Sequence, residues 1–122
     1  MSKTILVVDD SASIRQVVSI TLKEAGYDVI EGCDGRDALR KLDGRKVHLI
    51  VTDVNMPNMD GFSFVRAAKL LPGYKFTPVI MLTTETTDAM KQQGQACGAK
   101  AWMVKPFQPA QMLNAVSKLV LP

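Results

Sequence analysis

Side chains that can bind a cation or a phosphoryl group follow four short apolar runs of the sequence. Asp9 and Asp10 follow the first run, Asp53 the third, Thr83 the fourth and Lys105 the fifth. Carboxylates that crowd together repel one another, so they need a cation or raised pKa values. Oxygen ligands without a His or Cys cluster suit a hard ion such as Mg²⁺. If the fold gathers these residues, the three aspartates are expected to form a Mg²⁺ site.

Such a site also permits covalent chemistry. A carboxylate can act as a nucleophile and form an aspartyl phosphate. The cation and the compact charge of Lys105 would stabilise the charge on a transferring phosphoryl group. Each residue alone has an ordinary explanation, since an aspartate after a strand is usually a turn or cap residue and Lys105 is compatible with a solvated loop. Their combination favours phosphoryl chemistry.

The elements that must position these residues are five strands, each followed by a helix. Apolar runs predict strands at residues 5–8, 27–31, 48–52, 78–82 and 101–104. Helices are predicted from Ser11 or Ser13 to about 25, from Asp34 or Gly35 up to Gly44, from about 62 to a point before Pro72, from Thr87 or Asp88 to 97, and from Gln108 or Pro109 onward. This alternation indicates an open α/β sheet with helices on both faces. Ligands of such sheets bind at the carboxyl ends of the strands, where the candidate residues lie.

Length and composition predict one domain, residues 1–122, with an ordinary core. The chain has 122 residues, 47% hydrophobic and 22% charged. It has no apolar run of the roughly 18 residues that span a bilayer and no export signal, so we expect a cytoplasmic protein without membrane insertion. Cys33 and Cys97 are expected to stay reduced and to bind no metal.

The charge is unevenly distributed along the chain. Residues 1–61 hold eight Lys or Arg and ten Asp or Glu, whereas residues 62–122 hold seven and two. This asymmetry suggests two surfaces with different partners, and solvated surface charge is the alternative. Nucleic-acid binding is not expected, because no motif or strongly basic run is present.

The motif set resembles the signature of the response-regulator receiver family, over essentially the whole chain. Asp9-Asp10, Asp53, Thr83 and Lys105-Pro106 occur in the family's order and spacing, and residues 53–61 are similar to its D-x-x-M-P-x-x-D-G loop. The resemblance is strongest to single-domain chemotaxis members. It implies a flavodoxin-like (βα)5 fold with a parallel sheet of strand order 2-1-3-4-5.

The resemblance also implies roles for individual residues. Asp53 would accept the phosphoryl group from a histidine kinase. Asp10 and Asp53 would bind Mg²⁺ directly with the carbonyl of Asn55, and Asp9 would act through a metal-bound water. Thr83 and Lys105 would contact the phosphoryl group, and the Lys105–Pro106 bond would be cis.

Further positions would set the lifetime and the output of the phosphorylated state. Asn55 and Glu85 resemble a pair found in members with fast turnover, so a short-lived phosphoaspartate is expected. Trp102 stands at the switch position, where the family usually has Tyr or Phe, and would move inward on activation; a fixed aromatic residue is the alternative. An indole N–H needs a partner if it is buried. Thr84 is larger than the usual residue and could narrow access to Asp53.

The predicted function is a phosphoacceptor signalling protein that assists its own phosphorylation and dephosphorylation but is not a conventional enzyme. Its output surface would be formed by the fourth helix, fifth strand and fifth helix. Its partners would be a histidine kinase and an effector such as a flagellar motor switch protein, with a phosphatase as a further candidate partner and the chain itself a monomer. Alternatives are a regulator outside chemotaxis, a phosphate sink and, more remotely, a small aspartyl phosphatase. The last would need a second acid where Asn55 stands. A nucleotide- or flavin-binding domain would need glycines that residues 9–13 lack.

Overall fold

A computed structural model describes residues 3–84 and 87–120, in which five strands alternate with five helices. The strands are β1 Thr4–Val8, β2 Asp28–Gly32, β3 Leu49–Asp53, β4 Val79–Thr83 and β5 Ala101–Val104. The helices are α1 Ala12–Glu24, α2 Gly35–Lys41, α3 Gly61–Leu70, α4 Asp88–Cys97 and α5 Pro109–Leu119. All strand pairs are parallel, in the order β2-β1-β3-β4-β5. The predicted fold class and strand order are therefore confirmed.

Helices cover both faces of the sheet, and alternate side chains of each strand point into one or the other of the two cores. Leu6, Val8 and Ile50 pack with α2, α3 and α4. Ile5 and Val7 lie in a second core on the other face, with residues of α1 and α5. The strands are thus held rigidly between two helical layers, which fixes the positions of the residues at their ends.

Three strands begin and end one residue later than predicted. The expected ranges 27–31, 48–52 and 78–82 are observed as β2, β3 and β4. Pro78 lies outside β4, although its carbonyl accepts a hydrogen bond from the N–H of Ile50. As a consequence, Asp53 and Thr83 are the last residues of their strands and are held by the sheet itself.

Side-chain caps begin four of the helices. Ser11, Asp34, Asp60 and Thr87 each accept a hydrogen bond from a backbone N–H of the first helical turn. For α1, α2 and α4, these contacts decide between the two candidate first residues that the sequence left open. Helix α2 ends at Lys41, earlier than the predicted stop at Gly44.

Other expectations concern isolated residues and membrane insertion. Cys33 is exposed and Cys97 is buried, and neither takes part in a disulfide in the described residues. None of the helices in the described part of the chain is long and apolar enough to cross a membrane.

Candidate functional site

Three carboxylates lie together at the carboxyl ends of two neighbouring strands. Asp9 follows β1 directly and Asp53 ends β3, and these two strands pair with each other. Oxygens of Asp9, Asp10 and Asp53 all lie within 4.8 Å of one another. Asp9 and Asp53 are buried, whereas Asp10 is exposed. The sequence prediction that these carboxylates gather at one edge is therefore confirmed.

The ammonium group of Lys105 joins this cluster from the end of β5. Its Nζ lies 2.7 Å from Asp9 Oδ2 and 3.3 Å from Asp53 Oδ2, and its side chain is only 8% exposed. The N–H of Lys105 donates a 2.7 Å hydrogen bond to the carbonyl of Thr83, which ties the end of β5 to the end of β4. The Lys105–Pro106 bond is cis, as predicted.

The charges of the cluster do not balance, because two buried carboxylates share one ammonium group. Burial, followed by the charge of Asp9, raises the pKa of Asp53, and Lys105 and the N–H of Val54 oppose this rise only in part. A divalent cation would supply the missing positive charge. The donor set consists of carboxylate oxygens with one member open to solvent, so it fits a hard ion such as Mg²⁺.

The remaining predicted residues lie around this edge. Thr83 is fully buried at the end of β4, one residue past the pairing of Asp53 with Leu82. Asn55 is exposed, two residues beyond Asp53, and Thr84 is also exposed. Glu85 lies outside the described residues.

Trp102 is half-buried in β5 and packs towards α3 and α4. Its ring stacks on Phe62 with centroids 6.4 Å apart, and a Cβ on Gly94 would lie 3.0 Å from its Cζ3. The indole nitrogen is buried, and we find no hydrogen-bond acceptor for it within residues 3–84 and 87–120. The expectation that a buried indole N–H finds a partner is thus not met there.

Two residues of the site had no predicted role. The N–H of Gly61 donates a 2.7 Å hydrogen bond to the carbonyl of Val54, and a Cβ on Gly61 would lie only 2.2 Å from the carbonyl oxygen of Asp53. Arg15 donates to the carbonyl of Asp9 and pairs with Glu31 at 3.1 Å. The glycine of the 53–61 motif could have pointed to Gly61, whereas nothing in the local sequence pointed to Arg15.

Comparison with known proteins gives a consistent result. The family described as "Response regulator receiver domain" matches residues 5–117. The solved structure of Vibrio cholerae chemotaxis protein CheY4 is 50% identical, with a TM-score of 0.94 over 98% of this chain and 99% of that one. Chemotaxis protein CheY1 of Helicobacter pylori is 38% identical over 96% of this chain and 95% of its own length.

A third relative carries a different name. The alkaline phosphatase synthesis transcriptional regulatory protein PhoP of Bacillus subtilis is 41% identical over 99% of this chain, which spans only 49% of that protein. The relatives thus share the domain while their names point to different outputs. Because the family match extends over residues 5–117 and the strand order agrees with it, the chain belongs to the response-regulator receiver family of two-component signalling.

Proposed function

We propose that this protein accepts a phosphoryl group from a histidine kinase on Asp53 and thereby switches a protein-binding surface. The observation that carries the proposal is the position of Asp53, buried beside the carboxylate of Asp9 and within 3.3 Å of the ammonium group of Lys105. Asp53 Oδ1 accepts a 2.8 Å hydrogen bond from the N–H of Val54, which orients the carboxylate. Its Oδ2 then lies beside the charge that would stabilise a phosphoryl group.

Asp10 and Asp53, with the carbonyl of Asn55, are the groups we assign to direct Mg²⁺ binding. Asp9 suits a role through water, because Oδ1 already accepts the N–H of Ser11 at 2.9 Å and Oδ2 pairs with Lys105 at 2.7 Å. A bound Mg²⁺ would neutralise charge on the transferring phosphoryl group.

The transfer would form one bond and break one bond. An oxygen of Asp53 bonds to phosphorus while the P–N bond of the donor phosphohistidine breaks, and the imidazole leaves with the bonding electron pair. Lys105 is already within 3.3 Å of Asp53 Oδ2 and pairs with the new phosphoryl oxygens. The hydroxyl of Thr83, at the end of β4, would donate a hydrogen bond to the phosphoryl group.

The lifetime of the phosphoaspartate would depend on the side chains at its opening. Asn55 is exposed two residues beyond Asp53, and Glu85 is assigned the same role from its sequence position. We propose a short lifetime, to which the chain contributes without being a conventional enzyme. The phosphatase alternative is disfavoured because Asn55 cannot serve as the second acid.

The output we favour is chemotaxis or motility, through binding to an effector such as a flagellar motor switch protein. Similarity to CheY4 and CheY1 over nearly their full lengths supports this choice. The responding surface would comprise α4, β5 and α5, with Trp102 as its switch, in a monomeric cytoplasmic protein. The second candidate is regulation outside chemotaxis, because one relative is the transcriptional regulatory protein PhoP. A role as a phosphate sink belongs to the same alternative.

Incubation with acetyl phosphate and Mg²⁺, followed by intact mass measurement, tests the central step. Wild-type protein is expected to gain one phosphoryl group, and Asp53→Asn none. Asp60→Asn is the matched control, since Asp60 caps α3 and asparagine caps equally well. The proposal would be contradicted if Asp53→Asn gained a phosphoryl group, or if the wild type gained none.

Gly94→Ala is expected to alter the switch while leaving phosphorylation intact. The new methyl group would lie 3.0 Å from Trp102 Cζ3, so the indole must shift outward. The gain in helix propensity of about 1 kcal/mol offsets much of the packing cost, so stability should change little. Trp102 is the only tryptophan, and its emission should shift to the red and respond less to the phosphodonor.

Gln93→Ala, at an exposed position of the same helix, is the control for this prediction. If Gly94→Ala left both the emission and its response at wild-type values, Gly94 would not limit the position of the indole.

A further inference from the structure

An aromatic side chain stands in solvent at the end of the sheet opposite Asp53. Phe76 lies in the segment that leads into β4 and is 87% exposed. The Nζ of Lys75 lies 5.5 Å from the centroid of its ring, within cation–π distance. Large aromatic side chains are enriched at the centres of protein interfaces, where their burial contributes most to binding.

Two hollows flank this ring, and both are lined by Lys75 and Phe76. The first, of about 430 Å³, includes His48 and Pro78. The second, of about 340 Å³, includes Lys69 and Lys100. We call Phe76 and the two hollows the amino-end surface, because it lies where the strands begin. Each hollow has room for a side chain of a partner.

The amino-end surface is positively charged without compensation from its own lining. Lys69, Lys75 and Lys100 line it, and none of the described residues that line either hollow is an Asp or Glu. Burial, followed by the charge of Lys100, lowers the pKa of Lys69, whose Nζ donates to the carbonyl of Thr77. An anionic partner would relieve this repulsion.

We propose that the amino-end surface binds an acidic protein segment that places an apolar side chain against Phe76. The three lysines would pair with its carboxylates, and the hollows would take the side chains next to them. A membrane surface fits less well. Interfacial binding uses a broad apolar helix face, whereas the apolar residues of α3, including Phe64, Val65 and Ala68, are buried in the core.

This interaction would be distinct from the phosphorylation site, although Ala96 and Cys97 at the end of α4 also line the second hollow. The amino-end surface contains none of the residues around Asp53 and lies beyond the opposite ends of the same strands. A partner held there would remain bound whether or not Asp53 carries a phosphoryl group.

Titration of the full chain with synthetic peptides, followed by ¹⁵N–¹H NMR, tests the proposal. The peptides carry six glutamates around a central residue that is Trp, Leu or Ser. The Trp and Leu peptides are expected to shift the amides of residues 73–77 and of Lys69 and Lys100. Binding should be about tenfold weaker for the Ser peptide, and unchanged in Asp53→Asn.

Variants of the chain separate local contacts from net charge. Phe76→Ser and Lys100→Glu should each weaken binding about tenfold. The matched controls, Ile20→Ser and Lys23→Glu, alter exposed apolar and basic residues on α1 and should leave it within twofold.

Four results of the peptide and vesicle experiments would overturn the proposal. These are no peptide binding, shifts confined to β5, α5 and residues 88–95 of α4, equal weakening by Lys23→Glu and Lys100→Glu, and tighter binding to vesicles containing anionic lipid than to any peptide. The proposal would also be rejected if the protein self-associated and Phe76→Ser abolished this self-association. The occupant of the surface would then be a second copy of this chain and not an acidic segment.

Discussion

Replacing Lys105 by methionine is expected to lower the free energy of unfolding by about 3–5 kcal/mol in the absence of Mg²⁺. The ammonium group is buried between Asp9 and Asp53, whose side chains are 4% and 10% exposed. Methionine fills similar space but leaves both carboxylates without their cation. Phosphorylation by acetyl phosphate should also fall sharply, because the charge that we propose to pair with the phosphoryl oxygens is gone.

The destabilisation should depend on pH and on Mg²⁺. Lys105 lowers the pKa of Asp53 in the wild type, so its removal raises that pKa further above the value in the unfolded chain. The folded variant then binds more protons than its unfolded form. Its stability therefore falls as the pH rises from the unfolded pKa through the folded one. The deficit should be largest at neutral pH, where a Mg²⁺ concentration of 100 times Kd should restore about 2.7 kcal/mol.

Urea unfolding at neutral and mildly acidic pH, with and without Mg²⁺, measures these effects. Lys100→Met is the control, because Lys100 is exposed and lies at the other end of the sheet. A Lys105→Met protein as stable as the control at neutral pH would show that the buried ion pairs do not hold this edge together.

Gly61→Ala is expected to damage both stability and phosphorylation. The new Cβ would lie 2.2 Å from the carbonyl oxygen of Asp53 and 2.9 Å from the Cα of Val54, and these backbone atoms cannot rotate away. Either β3 shifts, or the 2.7 Å hydrogen bond from Gly61 to Val54 breaks. We expect a loss of about 2–3 kcal/mol. A displacement of Asp53 by about 1 Å should slow phosphoryl transfer about a hundredfold.

Gly35→Ala provides a matched comparison for this prediction. Gly35 is also buried and also begins a helix, but its added Cβ would meet the side chain of Met59, which can rotate. This variant should lose less than about 1 kcal/mol and keep the wild-type rate of phosphorylation. Equal behaviour of the two alanine variants, by urea unfolding and by time-resolved intact mass, would contradict the steric explanation.

The pattern of apolar runs and caps predicted the architecture well, because buried parallel strands and the two ends of a helix have strong local signatures. The apolar run before Asp9 and the glycine that ends α4 are examples. Gathering Asp9, Asp53 and Lys105 required only that parallel strands end at one edge. The strand order came from the family resemblance, since crossover connections leave no local signal.

The remaining features depend on contacts between distant residues. Pairing with β4 extends β3 to Asp53, one residue beyond the end that was predicted from the sequence. Local composition did not reveal this. Position 61 requires glycine because backbone atoms of Asp53 and Val54 lie where a Cβ would be. The residues adjacent to position 61 in the sequence do not reveal this. The solvent exposure of Phe76 was equally hidden, because an apolar residue before a strand ordinarily suggests core.

The opposite placement of Asp53 and Phe76 has a consequence for stoichiometry. Strands of five residues separate the two ends by roughly 17 Å, at about 3.3 Å per residue. Two occupants at these ends would not collide, so their binding free energies should add and neither should compete with the other. A single molecule would then form a ternary complex. The partner at Phe76 would determine where the protein resides, and the partner at the phosphorylated end would determine when it is active.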